Sequence, residues 1–146
     1  MILLVFLSVA EAGDVTLVVI NFKGGNVNQE MGAAVSEVLR GVITAIDNKP
    51  YRIVERDQLN EVMKEQGLSL SGVVDESGSQ RIGKVLSAAF MIIGSITRLG
   101  NGYTINGRIV NTATGEVVRG YVAVASSENE LPSRLTAMAY VLLGLK

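Results

Sequence analysis

The 146-residue sequence contains no cysteine, no histidine and no tryptophan, and only two prolines. Without cysteine these residues can form no disulfide, no zinc–thiolate centre, no thiol nucleophile and no lipid-bearing thiol. Without histidine they lack the usual general base near neutral pH and the commonest transition-metal ligand. A serine or cysteine triad cannot be assembled, so any catalysis would fall to carboxylates, lysine or tyrosine. Aromatic residues are also scarce, at three Phe and four Tyr. A core must therefore be built from Val, Ile, Leu and Ala. Charge of one sign is lacking as well, since 13 Lys and Arg stand against 14 Asp and Glu. That balance draws the chain to neither nucleic acid nor an acidic surface.

What is present is apolar side chain. Hydrophobic residues make up 48% of the sequence and charged ones 18%. Disorder needs the reverse balance, and the length suits one domain. Ile2 to Ala10 is an almost unbroken apolar run, followed by Ala10-Glu11-Ala12 in the small-x-small form of a signal-peptidase site. The run is under half the roughly 20 residues that a membrane helix needs. Residues 1–12 are therefore read as the remnant of an export signal, leaving 13–146 as the domain. No basic residue precedes the run, and an apolar edge strand or a fusion remnant is the competing reading.

Along the domain, Val15 to Phe22 is short, apolar and β-branched, as in a strand buried on both faces. Lys23-Gly24-Gly25-Asn26 breaks it. Met31, Val35, Val38, Leu39, Val42 and Ile46 then recur at helical spacing, with Asn28 as N-cap and Pro50 closing the segment. Tyr51 to Glu55 reads as a strand, and Asp57 heads a helix carrying Leu59, Val62 and Met63. Gly67 falls where a C-terminal cap belongs. Asp75 begins a third helix with Ile82, Val85 and Leu86. Ala88 to Thr97, Tyr103 to Ile109 and Val117 to Ala125 are strands, separated by turns at Gly100-Asn101-Gly102 and Thr112 to Gly115. Leu131, Leu135, Met138, Leu142 and Leu145 share one face of a last helix, started either by a Ser127–Glu130 capping box or by Pro132. The order β-α-β-α-α-β-β-β-α predicts a single α/β (α+β) domain, a mixed sheet with helices packed on it.

The candidate sites are few. Gly24-Gly25 lies between a strand and a helix, where backbone amides can hold phosphate. The dinucleotide and P-loop spacings are absent, so a tight turn explains it better. Asp75-Glu76 and Glu61/Glu65 are acidic pairs that could bind a hard cation. The first starts a helix, where negative charge is favourable, and the second lies beside Lys64 on a solvated face. Neither implies a cofactor or a metal. Lys49, Arg52, Arg56, Lys64, Arg81 and Lys84 are scattered, without the interleaved aromatics of a nucleic-acid binder. The connector Leu68 to Val74 is different, because loops are normally polar. Leu68, Leu70, Val73 and Val74 read either as a satellite of the core or as a surface for a protein partner or a second copy.

A longer string is more specific than any of these sites. Arg52-Ile53-Val54-Glu55-Arg56-Asp57-Gln58-Leu59 is followed by Glu65-Gln66-Gly67-Leu68-Ser69-Leu70-Ser71-Gly72 and then Arg81-Ile82-Gly83-Lys84-Val85-Leu86. Ile92-Ile93-Gly94-Ser95-Ile96 and Asn111-Thr112-Ala113-Thr114-Gly115-Glu116-Val117-Val118 complete it. In this order, over roughly residues 15–125, the sequence resembles the curli assembly/transport component (CsgG-type) family of bacterial envelope proteins. That superfamily looks related to the N-terminal domain of TolB and to lipoprotein activators of penicillin-binding proteins. The resemblance implies an exported, non-enzymatic α/β scaffold in the periplasm or at the outer-membrane periphery, which self-associates and contacts other proteins in secretion or surface-structure assembly. The alternative it implies is a regulatory domain that activates an envelope enzyme such as a peptidoglycan synthase. Two departures stand out: these residues include no cysteine to acylate, and no amphipathic hairpins of about 9–11 residues per strand beyond the core. Peripheral membrane association stays open, while a pore is not expected.

Overall fold

The computed structural model describes residues 15–47, 49–65 and 76–145. Strand β1 (Val15–Val19) is followed by a short β2 (Lys23–Gly25) and helix α1 (Gln29–Ala45). Strand β3 (Tyr51–Ile53) and helices α2 (Arg56–Glu65) and α3 (Glu76–Leu86) come next. Strands β4 (Phe90–Leu99), β5 (Gly102–Asn111) and β6 (Val117–Ala125) form the expected meander before helix α4 (Leu131–Leu142). The spatial order is β3-β1-β4-β5-β6, with β2 pairing β4 beyond the end of β1. β1 runs parallel to β3 and β4, and β5 runs antiparallel to its neighbours β4 and β6. The turn glycines Gly100 and Gly115 have φ of 62° and 77°, the left-handed geometry that such turns demand.

Two helical layers sandwich the sheet. On one face Leu17, Val19, Ile92, Ile96, Ile105 and Ile109 meet Val35, Leu39 and Ile43 of α1 and Leu135, Met138 and Leu142 of α4. On the other, Val18, Ile20, Met91, Ile93 and Val110 meet Leu59 and Met63 of α2 and Ile82 of α3. β1 feeds both clusters, which is why its run lacks alternation. Each side chain fully buried in these layers contributes roughly 1.5–3 kcal/mol of transfer free energy.

Several sequence expectations need correction. The Lys23–Asn26 break is a strand in part, because Lys23, Gly24 and Gly25 pair in parallel with Ser95, Ile96 and Thr97. The strand expected over Tyr51 to Glu55 stops at Ile53. In α1 the Asn28 cap is present, its side-chain oxygen accepting from the Met31 N–H at 2.9 Å. The buried ridge, however, consists of Gly32, Val35, Ser36, Leu39, Arg40 and Ile43, while Val38 stays 40% exposed. Close approach to Phe22 turns the helix this way. A Cβ on Gly32 would fall 2.1 Å from the Phe22 carbonyl oxygen. The Phe22 N–H donates to Ser36 Oγ at 2.6 Å, and that hydroxyl donates to the Gly32 carbonyl at 2.9 Å. Val85 of α3 is likewise exposed, although Ile82 is buried as expected. At α4 the Ser127 side chain makes no cap bond; a 3₁₀ turn over Glu128–Glu130 leads in, and Pro132 occupies the first helical turn.

Candidate interaction surface

The two faces of the sheet are unequally covered. α1 and α4 roof one face from β1 to β6. α2 and α3 roof the other only over β1, β4 and the Val110 end of β5. Among the described residues, no helix lies over the remainder, made of the far half of β4, the middle of β5 and β6. Strand alternation decides what this open area displays. From β4 come Ser95, Thr97 and Leu99, registered against Asn106, Thr104 and Gly102 of β5. From β6 come Val122 and Val124, registered against Asn106 and Thr104. Leu99, Val122 and Val124 are 63%, 59% and 65% exposed, and Val118 is exposed too. A recess of about 200 Å³ at the β2 end is lined by Lys23, Gly94, Ser95, Asn106 and Arg108. The area is therefore an apolar rim along β6 beside a polar, hydroxyl- and amide-bearing centre.

The opposite side of β6 explains how the valines come to face outwards. Tyr121, Ala123 and Ala125 alternate with them towards α4, and Ala123 and Ala125 are buried. Arg119 shares that side, its Nε donating to the Leu142 carbonyl at 2.8 Å. Small residues let α4 lie close to the strand, so the larger apolar side chains are left on the uncovered face.

The sequence-derived candidates fall elsewhere. Leu68, Leu70, Val73 and Val74 lie outside the described residues, as do Gly67 and Asp75. Gly24 and Gly25 are engaged in the β2–β4 ladder, and a Cβ on Gly25 would meet Thr97 Oγ1 at 3.0 Å. Gly25 therefore serves close strand packing, while a Cβ on Gly24 would meet Val27 of the following turn at 2.8 Å. Glu61 and Glu65 stand exposed on α2, and no group of three His, Cys, Asp or Glu able to hold a metal ion occurs among the described residues. The cations are dispersed into structural tasks: Lys49 Nζ donates to the Thr44 and Ile46 carbonyls at the end of α1, at 3.1 and 3.0 Å, and Arg52 reaches Thr16 Oγ1 at 3.1 Å. Arg81 and Lys84 border a groove of about 740 Å³ with Gln80, Ser87 and Ala113. Its floor is held by Thr112, whose buried hydroxyl meets the Ala88 and Ala89 carbonyls. An apolar groove of about 250 Å³ lies between α1 and α4, with Met31, Val38, Leu131 and Pro132 among its lining.

Sequence reasoning missed Leu99, Val118, Val122 and Val124. The available signal was a size alternation in β6, valine at 118, 122 and 124 against alanine at 123 and 125. It missed Arg40 as well. This buried guanidinium donates through Nη2 to the Val19 carbonyl at 2.7 Å and through Nη1 to Glu37 at 2.6 Å. It supplies a partner for β1 where β3 has already ended. No described helix is long and apolar enough to cross a membrane.

Comparison with known proteins places this architecture. No curated protein matches the chain. Among solved structures, the LpoB C-terminal domain from Escherichia coli superposes with a TM-score of 0.60 at 20% identity, over 77% of this chain and 83% of that one. Lipoprotein GNA1162 from Neisseria meningitidis gives 0.58 at 13% identity, over 79% and 83%. A PelC dodecamer from Paraburkholderia phytofirmans gives 0.52 at 12% identity, over 92% and 91%. At these identities the likeness is one of fold. The family described as curli production assembly/transport component CsgG matches residues 5–107. The match spans well over half of the sequence and agrees with the residue string and the strand order: the chain belongs to the CsgG family.

Proposed function

We propose that this protein is a non-enzymatic scaffold of the bacterial cell envelope, acting through self-association and protein–protein contacts in secretion or surface-structure assembly. The observation that carries the reading is the open β4–β6 area, an apolar rim on a strand that a member of an assembly/transport family leaves uncovered. Exposed apolar area of this kind on an otherwise well-buried domain marks contact with another macromolecule. A neighbour of the same fold is solved as a dodecamer, which supports assembly of copies as the mode of contact. The site of action that fits is the periplasm or the outer-membrane periphery. The connector residues Leu68, Leu70, Val73 and Val74 belong to the proposal as a second contact.

Size-exclusion chromatography with light scattering tests it on the full chain. The expected result is a mass above the 15.5 kDa of one copy, rising with concentration. A strict monomer at high micromolar concentration overturns self-association. Monomeric behaviour together with recovery of a single envelope enzyme would instead support a regulatory domain.

A further inference from the structure

We propose that β6 is a pairing edge, and that two copies of the chain join by an antiparallel β6–β6 ladder centred on Tyr121. The inference rests on the self-association reading and names the surface that performs it. The two edges of the sheet are built differently. Proteins blunt exposed edges with short strands, charges, proline, bulges or covering elements. β3 is blunted by length, being three residues long. β6 has nine residues and no proline, and its single charge, Arg119, is tied back to Leu142. The only break in its register lies between Ile109 and Val110, at the Val117 end. From Arg119 to Ala125 the strand is regular, so alternate residues turn their N–H and C=O groups away from β5. The Val124 carbonyl marks that outward set, and it alone is guarded among those the hydrogen bonds name, accepting from Arg134 Nε at 2.9 Å. Gly120 and Val122 belong to it and, among the described residues, no strand lies beyond them.

The strand is also complementary to itself. A two-fold axis at Tyr121 sets Gly120 opposite Val122 of the second copy, inside the regular stretch. Each bulky valine of the middle pair then faces a residue without a side chain. On the α4 side Tyr121 meets Tyr121 and Arg119 meets Ala123, so no like charges stand directly opposite. The exposed valine rims of both copies merge into one apolar band. The seven regular residues span about 23 Å, and a strip roughly 15 Å wide buries on the order of 700 Å² in total. That lies below the roughly 1,200 Å² of standard interfaces, so the dimer is weak.

Sedimentation velocity on the full chain between about 1 and 500 μM is the direct measurement. Val122→Pro removes an outward N–H without costing a β5 bond, and is expected to weaken dimerisation at least about tenfold, as is Val122→Lys. Tyr121→Cys is the geometric probe. Non-hydrogen-bonded antiparallel pairs sit with Cα atoms about 4.5 Å apart, within disulfide range, and the chain offers no other thiol. Mild oxidation should convert Tyr121→Cys to a covalent dimer far faster than a Val85→Cys control on the exposed side of α3. If the wild type associates while the Val122 variants are unchanged and Tyr121→Cys reacts no faster than the control, the β6 seam is wrong and the self-association reading survives. A wild type that is monomeric throughout overturns both. Should Val122→Pro lose its circular-dichroism signature, Val122→Lys and the disulfide rates decide.

Discussion

The two sides of β6 are opposites in exposure. Towards α4 the strand carries Ala123 and Ala125, buried beside Leu135 and Met138. Away from it the same strand carries Val122 and Val124, more than half exposed. The more hydrophobic side chains are on the solvent side. Burial here follows how closely a helix can approach, and small residues permit the closest approach. An apolar residue left outside by that geometry becomes available for another molecule. The covered side supplies stability, and the open side is the proposed contact.

Substitutions on the two sides should therefore separate stability from association. The largest effect is expected at Met138→Ala, which empties a fully buried position of α4. A loss of about 2–5 kcal/mol is expected, read by urea denaturation, with association unaffected below the unfolding range. A loss under about 1 kcal/mol would mean that α4 contributes little to the covered side. Next comes Arg40→Met, which keeps the bulk but leaves the Val19 carbonyl without its 2.7 Å donor. A buried acceptor without a partner costs about 1–3 kcal/mol, measurable in the same titration; an unchanged midpoint would show that water replaces the guanidinium. Third, Val122→Ser with Val124→Ser on the open side should change stability by within about 0.5 kcal/mol per site while lowering the mass seen by light scattering. Lost stability with unchanged mass would reverse the assignment of the two sides. The smallest effect on stability is expected for Leu70→Ser with Val73→Ser in the connector: weaker assembly or partner capture at an unchanged melting temperature. A large fall in melting temperature would make those side chains part of the core.

Much of the fold was legible because its signals are local. Asn28 caps α1 through its own side chain, and the Gly100 and Gly115 turns need left-handed backbone, so each declares itself within a few residues. The alternation of Tyr103, Ile105, Gly107 and Ile109 was equally clear, since polar residues separate them. The α1 face was read partly wrong because Gly32, Ser36 and Arg40 are buried through contacts with Phe22 and Val19, which no helical period announces. β2 was invisible as a strand because Gly24 and Gly25 satisfy turn rules and strand packing alike. The proposed contact surface was the least legible feature. The sequence pointed to the apolar connector, whereas the exposed valines that support the proposal lie on β6, whose run of valine and alanine offers no polar face to orient it.

The sequence by itself determined the lack of thiol and imidazole groups in these residues, the near-zero net charge, the strand–helix–helix–meander order and membership of the family. These depend on residue identity and on neighbours along the chain. Only the tertiary structure decided which valines of β6 look outwards, which edge of the sheet is long and unpaired among the described residues, and why an arginine lies buried in α1. Those depend on where α1 and α4 come to rest on the sheet. A period-two pattern records a face only when the two faces differ in polarity, and in β6 they differ in size alone.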